Sequence, residues 1–539
     1  MHDALPARRR LAGLALTAFA ACTALPAAAA PALDTAHVDA RPSPSPLADG
    51  WEHGAFMEIF VRAYQDSKGD GVGDLRGLTA RLDYLQALGV KGIWLMPITA
   101  SSDHDHGYAT VDYRRVEPAY GDLADFDALI AAAHARGIGV IIDYVFNHAS
   151  AEFPPFEQAL AGPDAPYRDW FVWQDRTPLD WSIWGHNPWT ATPTGAYYGT
   201  FGGHMPDFNL RNPAALDYHF SSLRFWLNRG LDGFRLDAVP HLIENGPEAW
   251  NDQPESRALA KRIQDLVKSY PRRFVVCEAT AAPLVYARPD VCGSAFAFDF
   301  QYEIVKAARG EPVEAAAALP KVADYFRHAP PSMATMLSNH DIFAGQRLWD
   351  QLHGDAAGLK LAAATYLLMP GTPFIYYGEE IGQAGRLELD GDGPIRAPMS
   401  WDADGRGFST GQPFRPIAPN AATHNPVVEA ADPNSVLNFY KAMIALRNQR
   451  RSIAAGDYAA ATQGLLMVLR RRLGAELSVV LINYGAAPAQ VALDALPPGA
   501  ALPALYPRGA AAAHSDAGGR ANVTVPARAV LVLQADRQP

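Results

Sequence analysis

The chain has 539 residues, 49% hydrophobic and 19% charged, enough for a large core and two or three domains. Its net charge of −11 disfavours nucleic acid and anionic membranes as partners, because a diffuse acidic surface repels both. Eleven Trp, 21 Tyr and 23 Phe suit a sugar-stacking protein and an ordinary core equally well, so composition alone decides nothing more.

Arg8-Arg9-Arg10 precede an Ala/Leu-rich stretch from Leu11 to Ala21, and Ala27 to Ala30 offer small-residue cleavage sites. This layout reads as a secretory signal peptide over 1–30, which assigns the mature protein to the periplasm or the exterior. Thr17, Thr23 and Pro26 interrupt the stretch and argue against an uncleaved anchor. Cys22, after Phe19-Ala20-Ala21, partly matches a lipoprotein attachment site, and the arginine run partly matches a twin-arginine signal. No second apolar run is long enough to span a membrane, so no span is expected in the mature chain. Pro42-Ser-Pro-Ser-Pro46 then reads as an extended linker over 31–50.

From residue 51, short apolar runs alternate with helical patterns. Strands are predicted at Phe56–Val61, Val90–Met96, Ile138–Val145, Leu231–Leu236, Arg273–Cys277, Ala295–Phe300, Met333–Leu337 and Thr372–Tyr377. Amphipathic stretches such as Asp74–Leu88, Leu123–Arg136, Pro254–Tyr270 and Ala356–Leu368 separate them. Eight such units imply a closed parallel (β/α)8 TIM barrel over 51–148 and 213–453, with a doubly wound sheet as the competing architecture. Residues 149–212 break the pattern with Pro, Gly, Trp and Tyr, and read as a domain inserted after the third strand. Runs such as Gly464–Leu469, Leu477–Ile482 and Ala529–Leu533 between Gly/Pro/Ala-rich turns predict an antiparallel β-sandwich over 454–539. Cys277 and Cys292 are either one disulfide or buried free thiols.

Four segments combine carboxylates, an arginine and histidines with strand ends: Asp143-Tyr-Val-Phe-Asn147-His148, Gly233-Phe-Arg235-Leu-Asp237, Val276-Cys-Glu278 and Ser338-Asn-His340-Asp341. A parallel barrel gathers its strand ends around one cavity, so these become neighbours. Asp237 lies two residues after Arg235, on the same strand face. The pair is either structural or a nucleophile kept ionised by the guanidinium. Glu278, after Phe274-Val-Val-Cys277, ends an apolar strand whose surroundings raise a carboxyl's pKa, as a general acid requires. Neighbouring strands can hold two carboxyls about 5 Å apart, the separation used by retaining glycosidases. A lone histidine is usually structural, but His148 and His340 at one rim, beside carboxylates, point to a site for sugar hydroxyls.

These segments, in this order, closely resemble glycoside hydrolase family 13, the α-amylase family, from about Gly54 to the end. The resemblance implies that Asp237 is the nucleophile, Glu278 the general acid/base and Asp341 the transition-state stabiliser. It implies that Asp143, Arg235, His148 and His340 complete the subsite for the reacting glucose. In Asp105-His106-Gly107-Tyr108, Tyr108 matches the family tyrosine that stacks on that ring. Met205-Pro-Asp207-Phe-Asn209, Ala397-Pro-Met-Ser-Trp401 and Phe414-Arg-Pro-Ile-Ala-Pro-Asn420 resemble bacterial α-amylases intermediate between the oligo-1,6-glucosidase and neopullulanase groups, although Phe208 stands where Leu is usual. Ala238 is typical of α-1,4-acting members. Gly233-Phe-Arg-Leu-Asp-Ala-Val-Pro-His241 also looks like maltases and trehalose synthases, and Asp105 resembles the aspartate that reads a non-reducing end.

The segment Asp66-Ser-Lys68-Gly-Asp70-Gly-Val72-Gly-Asp74 has oxygen donors at alternate positions. It reads either as a calcium loop, with Asp66, Asp70, Asp74 and the Val72 carbonyl as ligands, or as a glycine-rich turn capped by aspartates. Lys68 stands where related enzymes carry Asn. A second family calcium site involves an asparagine like Asn147 and a carbonyl at a position like His241, and Pro240 replaces the lysine usual there. The sequence-based expectation is a secreted or periplasmic, monomeric retaining hydrolase of α-1,4 bonds in starch, maltodextrins or cyclodextrins, with structural Ca2+ and an α-glucan as partner. The alternatives are an exo-acting α-glucosidase or glucosyltransferase, including trehalose-synthase-like action, and a catalytically inactive carbohydrate-binding member.

Overall fold

The computed structural model of the protein describes residues 33–536. The signal-peptide and Cys22 expectations fall outside them. Seven parallel strands are β1 Phe56–Ile59, β2 Gly92–Leu95, β3 Gly139–Tyr144, β4 Gly233–Leu236, β5 Phe274–Cys277, β6 Ala334–Thr335 and β7 Thr372–Tyr376. Their spatial order is β5-β4-β3-β2-β1-β7-β6. Parallel bridges from Cys277 to Ala295 and from Phe296 to Ala334 join the two edges and all but close the ring. The expected strand at 295–300 thus shrinks to two residues. Asp299, at φ 72°, turns the chain directly into the helix Phe300–Ala308.

The strands are near-continuous apolar runs because helices cover one face and the barrel lumen the other. Phe56, Trp94, Ile141, Val276, Phe296 and Phe374 fill that lumen. Two glycines make room for the rings. A Cβ on Gly92 would lie 2.3 Å from the Phe56 ring, and one on Gly139 would lie 2.3 Å from Trp51. Of the surrounding helices, Leu123–His134 starts on a reciprocal Asp122–Asp125 capping box. The predicted helix 74–88 is interrupted at Arg81, giving Leu75–Ala80 and Leu82–Leu88. The Arg81 side chain donates to Gln65 and Gly407 and lies 4.1 Å over Trp401. Ala356–Leu368 has its predicted bounds.

The insertion after β3 holds a helix, Pro154–Ala159, and an antiparallel sheet of Trp173–Gln174, Gly195–Tyr198 and Trp189–Thr192. Helix Pro213–Asn228, capped by Asn212, returns the chain to the barrel. At the C-terminal end, Asp457–Gln463, Leu466–Leu473, Glu476–Asn483, Ala529–Gln534 and Ala504–Tyr506 form a five-stranded sheet. Its residues Leu466, Val479 and Leu481 share a core with Val491 and Val523 of a second antiparallel pair, as in a sandwich.

The proline-rich stretch before the barrel is irregular but docked. Val38 N donates to Ser221 Oγ, Arg41 N to Asn228 Oδ1, and Ser45 Oγ to the buried Asp232 at 2.7 Å. Leu47 is buried beneath the barrel lumen with Trp51. Cys277 and Cys292 form a disulfide with Cα atoms 6.3 Å apart, which settles the alternative left open by the sequence.

Candidate active site

Parallel strands deliver their C-terminal ends to one face, and β3, β4 and β5 converge on Arg235. Its Nη1 donates to Asp143 Oδ1 at 2.9 Å and to Asp237 Oδ1 at 2.5 Å, and its Nη2 lies 3.0 Å from Glu278 Oε2. Glu278 Oε2 also accepts from Ala238 N at 2.9 Å. That amide is aimed by a backbone with φ 47° at Ala238, a left-handed conformation that strains a non-glycine residue and clusters at functional sites. One guanidinium holding two neighbouring carboxyls gives the close pairing that a covalent glycosyl intermediate requires.

The fourth segment completes the ring of polar groups. Tyr108 Oη lies 3.0 Å from Asp143 Oδ2 and 2.6 Å from His340 Nε2, and its ring stacks on His340 at 5.6 Å. His340 Nδ1 is 2.6 Å from Glu58 Oε1 of β1. Arg396 Nη2 reaches Asp341 at 3.3 Å and Asp392 at 3.0 Å. Asp237, Glu278, Asp341, Tyr108 and His148 line a cavity of about 590 Å³. Asp105 stands apart. It follows the loop to Arg415, whose Nη2 donates to its Oδ2 at 2.7 Å, while the adjacent His106 lines the cavity.

Burial sets the electrostatics. It raises the carboxyls of Glu278 and Asp237, with Arg235 pulling each back. It pushes Asp143 up to about 8, opposed by Arg235, and Asp341 up to about 7, reinforced by Glu278. Arg235 and Arg396 are outnumbered by the buried carboxyls around them, which favours protons in the cluster, the state an acid catalyst needs. Burial pushes His148 down to about 3 and His340 well below its ordinary value, so both imidazoles are neutral hydrogen-bonding groups.

Tyr108, His148, Asp237, Glu278 and Asp341 thus line one cavity, and the buried Asp143, Arg235 and His340 stand behind it, bonded to them. The sequence reasoning missed Glu58, Arg396, Asp392 and Arg415. Glu58 was findable as a charge inside the apolar run Phe56-Met-Glu-Ile59. Arg415 lay inside a quoted motif without a role, and Arg396 and Asp392 occupy loops with no periodic signal.

The 66–74 loop uses its carboxylates internally. Asp66 accepts from the amides of Lys68, Gly69 and Gly71 and from Ser409 Oγ. Asp74 accepts from Ser67 and Gly77, and Asp70 from Val72 N. Lys68 Nζ turns away to Ala119 O at 2.8 Å. Among the described residues no three His, Cys, Asp or Glu side chains form a metal-holding group. Asn147 lies beside Asp207, whose carboxylate accepts from Thr200 N and Oγ1. The carboxylates of the loop thus serve backbone amides and hydroxyls.

Residues 58–456 match the profile of the alpha-amylase catalytic domain. This chain belongs to the α-amylase family. The family member is 33% identical over 506 residues to the trehalose synthase/amylase of Mycobacterium tuberculosis, covering 82% of this chain and 83% of that one. It is 29% identical over 507 residues to the oligo-1,6-glucosidase of Parageobacillus thermoglucosidasius, covering 80% and 90%. The crystal structure of an alpha-amylase from H. orenii superposes with a TM-score of 0.77 at 31% identity, covering 90% of this α-amylase-family chain and all of that one. The protein is thus an enzyme of a glycosidase and glucosyltransferase family. Among the described residues no helix is long and apolar enough to cross a membrane.

Proposed function

We propose that the enzyme removes single glucosyl units from the non-reducing end of α-1,4-linked gluco-oligosaccharides and passes them to water or to a second hydroxyl compound. Asp237 attacks the anomeric carbon while Glu278 protonates the departing glycosidic oxygen, which leaves a covalent glucosyl ester on Asp237. Glu278, now ionised, takes the proton from the incoming hydroxyl as the ester breaks. Asp341 and the neutral His148 and His340 receive the hydroxyls of the reacting glucose, and Tyr108 stacks on its ring. Asp143 and Glu58 hold Arg235, Tyr108 and His340 in place.

The observation that carries exo action is the Arg415–Asp105 ion pair, 2.7 Å long and half-buried on both sides. It ties the 414–420 loop to the 103–108 loop, next to His106 and Tyr108 of the cavity, and in this reading it closes that end of the cleft to a longer chain. Relatives named trehalose synthase and oligo-1,6-glucosidase support the same reading, as does Ala238 for the α-1,4 bond. Internal cleavage of starch, supported by the relative named alpha-amylase, needs that end open. The Cys277–Cys292 bond suits an oxidising compartment and supports the export proposed from the N-terminal segment.

Products from maltoheptaose separate the readings. Glucose with maltohexaose as the first products, joined by longer oligomers at high substrate, is the expected pattern. Arg415→Ala should raise KM for maltose about tenfold or more, the effect of losing one charge-assisted contact. A first sample containing mixed short oligomers would show internal cleavage instead.

A further inference from the structure

Glu278 stands beside a thin seam in the barrel wall. On one side its strand, β5, runs in register with β4, from Phe274 opposite Gly233 to Cys277 opposite Leu236. Glu278 N continues that ladder to Leu236 O at 2.9 Å. The carboxylate is held from the same side, by Arg235 Nη2 and Ala238 N. On the other side the wall is the short bridge segment 295–296. It is joined to β5 by Cys277 N to Ser294 O at 3.0 Å and Phe296 N to Cys277 O at 3.1 Å. Ser294 Oγ and Thr335 Oγ1, next to the bridged residues Ala295 and Ala334, are buried with no hydrogen-bond partner among the described residues. Few ladder bonds and unmatched polar atoms make this side the softer one.

The Cys277–Cys292 disulfide ties β5 to the turn that leads into this segment. Strand alternation sends Val276 and Glu278 inward and Cys277 outward, and Val276 indeed packs in the lumen. The turn that carries Cys292 is well anchored. Cys292 N donates to Tyr286 O at 3.0 Å, Gly293 N to Arg288 O at 2.9 Å, and Ser332 Oγ to Ala287 O at 2.9 Å. Gly293, at φ 87°, approaches helix Pro254–Lys268 so closely that a Cβ would lie 2.3 Å from Gln264 Nε2. The residue directly before the acid/base is thus bonded covalently to a turn fixed outside the barrel. The ring closed by the disulfide, 277–292, includes Glu278 and Thr280, and both line the cavity. A cross-link that only restricts the unfolded chain has no need of this place. A group that must deliver a proton has one, because misplacement by about 1 Å can cost on the order of 100-fold in rate.

We propose that Cys277 and Cys292 are positioning residues for Glu278: their bond holds the acid/base where it can protonate the departing glycosidic oxygen. This rests on the glycosidase reading above, in which Glu278 is the acid. Asp237 does not depend on the bond. Its amide donates to Tyr144 O at 3.1 Å and its carboxylate accepts from Arg235, which Asp143 holds in turn. Loss of the disulfide therefore leaves nucleophilic attack in place and weakens acid assistance.

The test compares kcat/KM of the Cys277→Ala/Cys292→Ala enzyme on maltose, whose leaving sugar needs a proton, and on 4-nitrophenyl α-glucoside, whose leaving group needs almost none. Glu278→Gln, measured alongside, marks the full loss of the acid. The double variant should lose about tenfold or more on maltose and less than about twofold on the aryl glucoside. Equal losses on both substrates, a larger loss on the aryl glucoside, or no loss on either would make the bond a stabiliser alone and overturn the proposal. Cys292→Ala, which keeps the native strand residue Cys277, repeats the comparison if the double variant does not fold. Loss of fold in both, seen by circular dichroism, also overturns it, because the bond then serves the fold and not Glu278. A wild type that does not cleave maltose, or a Glu278→Gln enzyme that loses equally on both substrates, overturns the glycosidase reading itself.

Discussion

At the residue scale the site turns on Arg235, whose two terminal nitrogens contact Asp143, Asp237 and Glu278. The guanidinium favours the ionised form of its carboxyl partners, the nucleophile included, while burial favours the protonated form. Asp237→Asn preserves shape and Arg235 contact but removes the attacking charge. Turnover should fall roughly 10³-fold or more, as for other nucleophile losses. Glu278→Gln removes acid and base together, so maltose turnover should fall comparably. Release of 4-nitrophenol from its α-glucoside needs little acid assistance, and a pre-steady-state burst should survive in Glu278→Gln and vanish in Asp237→Asn. Burst amplitudes in stopped flow check this. A burst in Asp237→Asn, or normal maltose turnover in either folded variant, would reject the assignment.

At the scale of elements, the 66–74 loop shows how one sequence pattern serves two structures. Alternating aspartates and glycines suit a calcium loop, yet here Asp66 and Asp74 cap backbone amides and Lys68 bonds Ala119. The loop is also closed by Ser409 and by Phe408 O, which accepts from Asp66 N at 3.0 Å. A ligand that bound only the folded state would raise Tm through its binding free energy. EDTA should therefore shift Tm by no more than about 1 °C, within the scatter of a scan. A fall of several degrees, reversed by calcium and not by magnesium, would restore the cation. The stretch at 36–47 carries the opposite lesson. Its prolines deny it regular structure, but backbone and side-chain hydrogen bonds to Ser221, Asn228 and Asp232 make it part of the barrel's underside.

At the scale of the molecule, what was legible in the sequence was whatever follows local periodicity. The eight apolar runs and the long inserted segment locate the barrel because a strand buried on both faces must be apolar along its length. The carboxylates at strand ends were legible because topology alone makes them neighbours. Contacts made across hundreds of residues were not, such as Arg415 with Asp105 or Glu58 with His340, because no local pattern encodes a partner. Glu379 and Glu380 belong to this second class, and they tie whole-molecule stability to pH. They follow β7 and are buried where helices around the barrel meet. Glu379 accepts from Tyr366 and Tyr440, and Glu380 from Tyr84. Glu380 Oε2 has no hydrogen-bond partner among the described residues. Burial pushes each carboxyl up to about 7 from an ordinary value of 4.5. The folded state thus holds protons that the unfolded chain releases, and stability falls as pH rises from about 4.5 through about 7. For one such carboxyl the loss is on the order of 3 kcal/mol, at 1.36 kcal/mol per pKa unit. Glu380→Gln keeps an acceptor for Tyr84 and cannot ionise. Thermal melts should show it equal to the wild type near pH 4.5 and more stable at pH 8, with a flatter dependence between. Equal stability at pH 8 would mean that Glu380 is ionised and solvated in the folded protein.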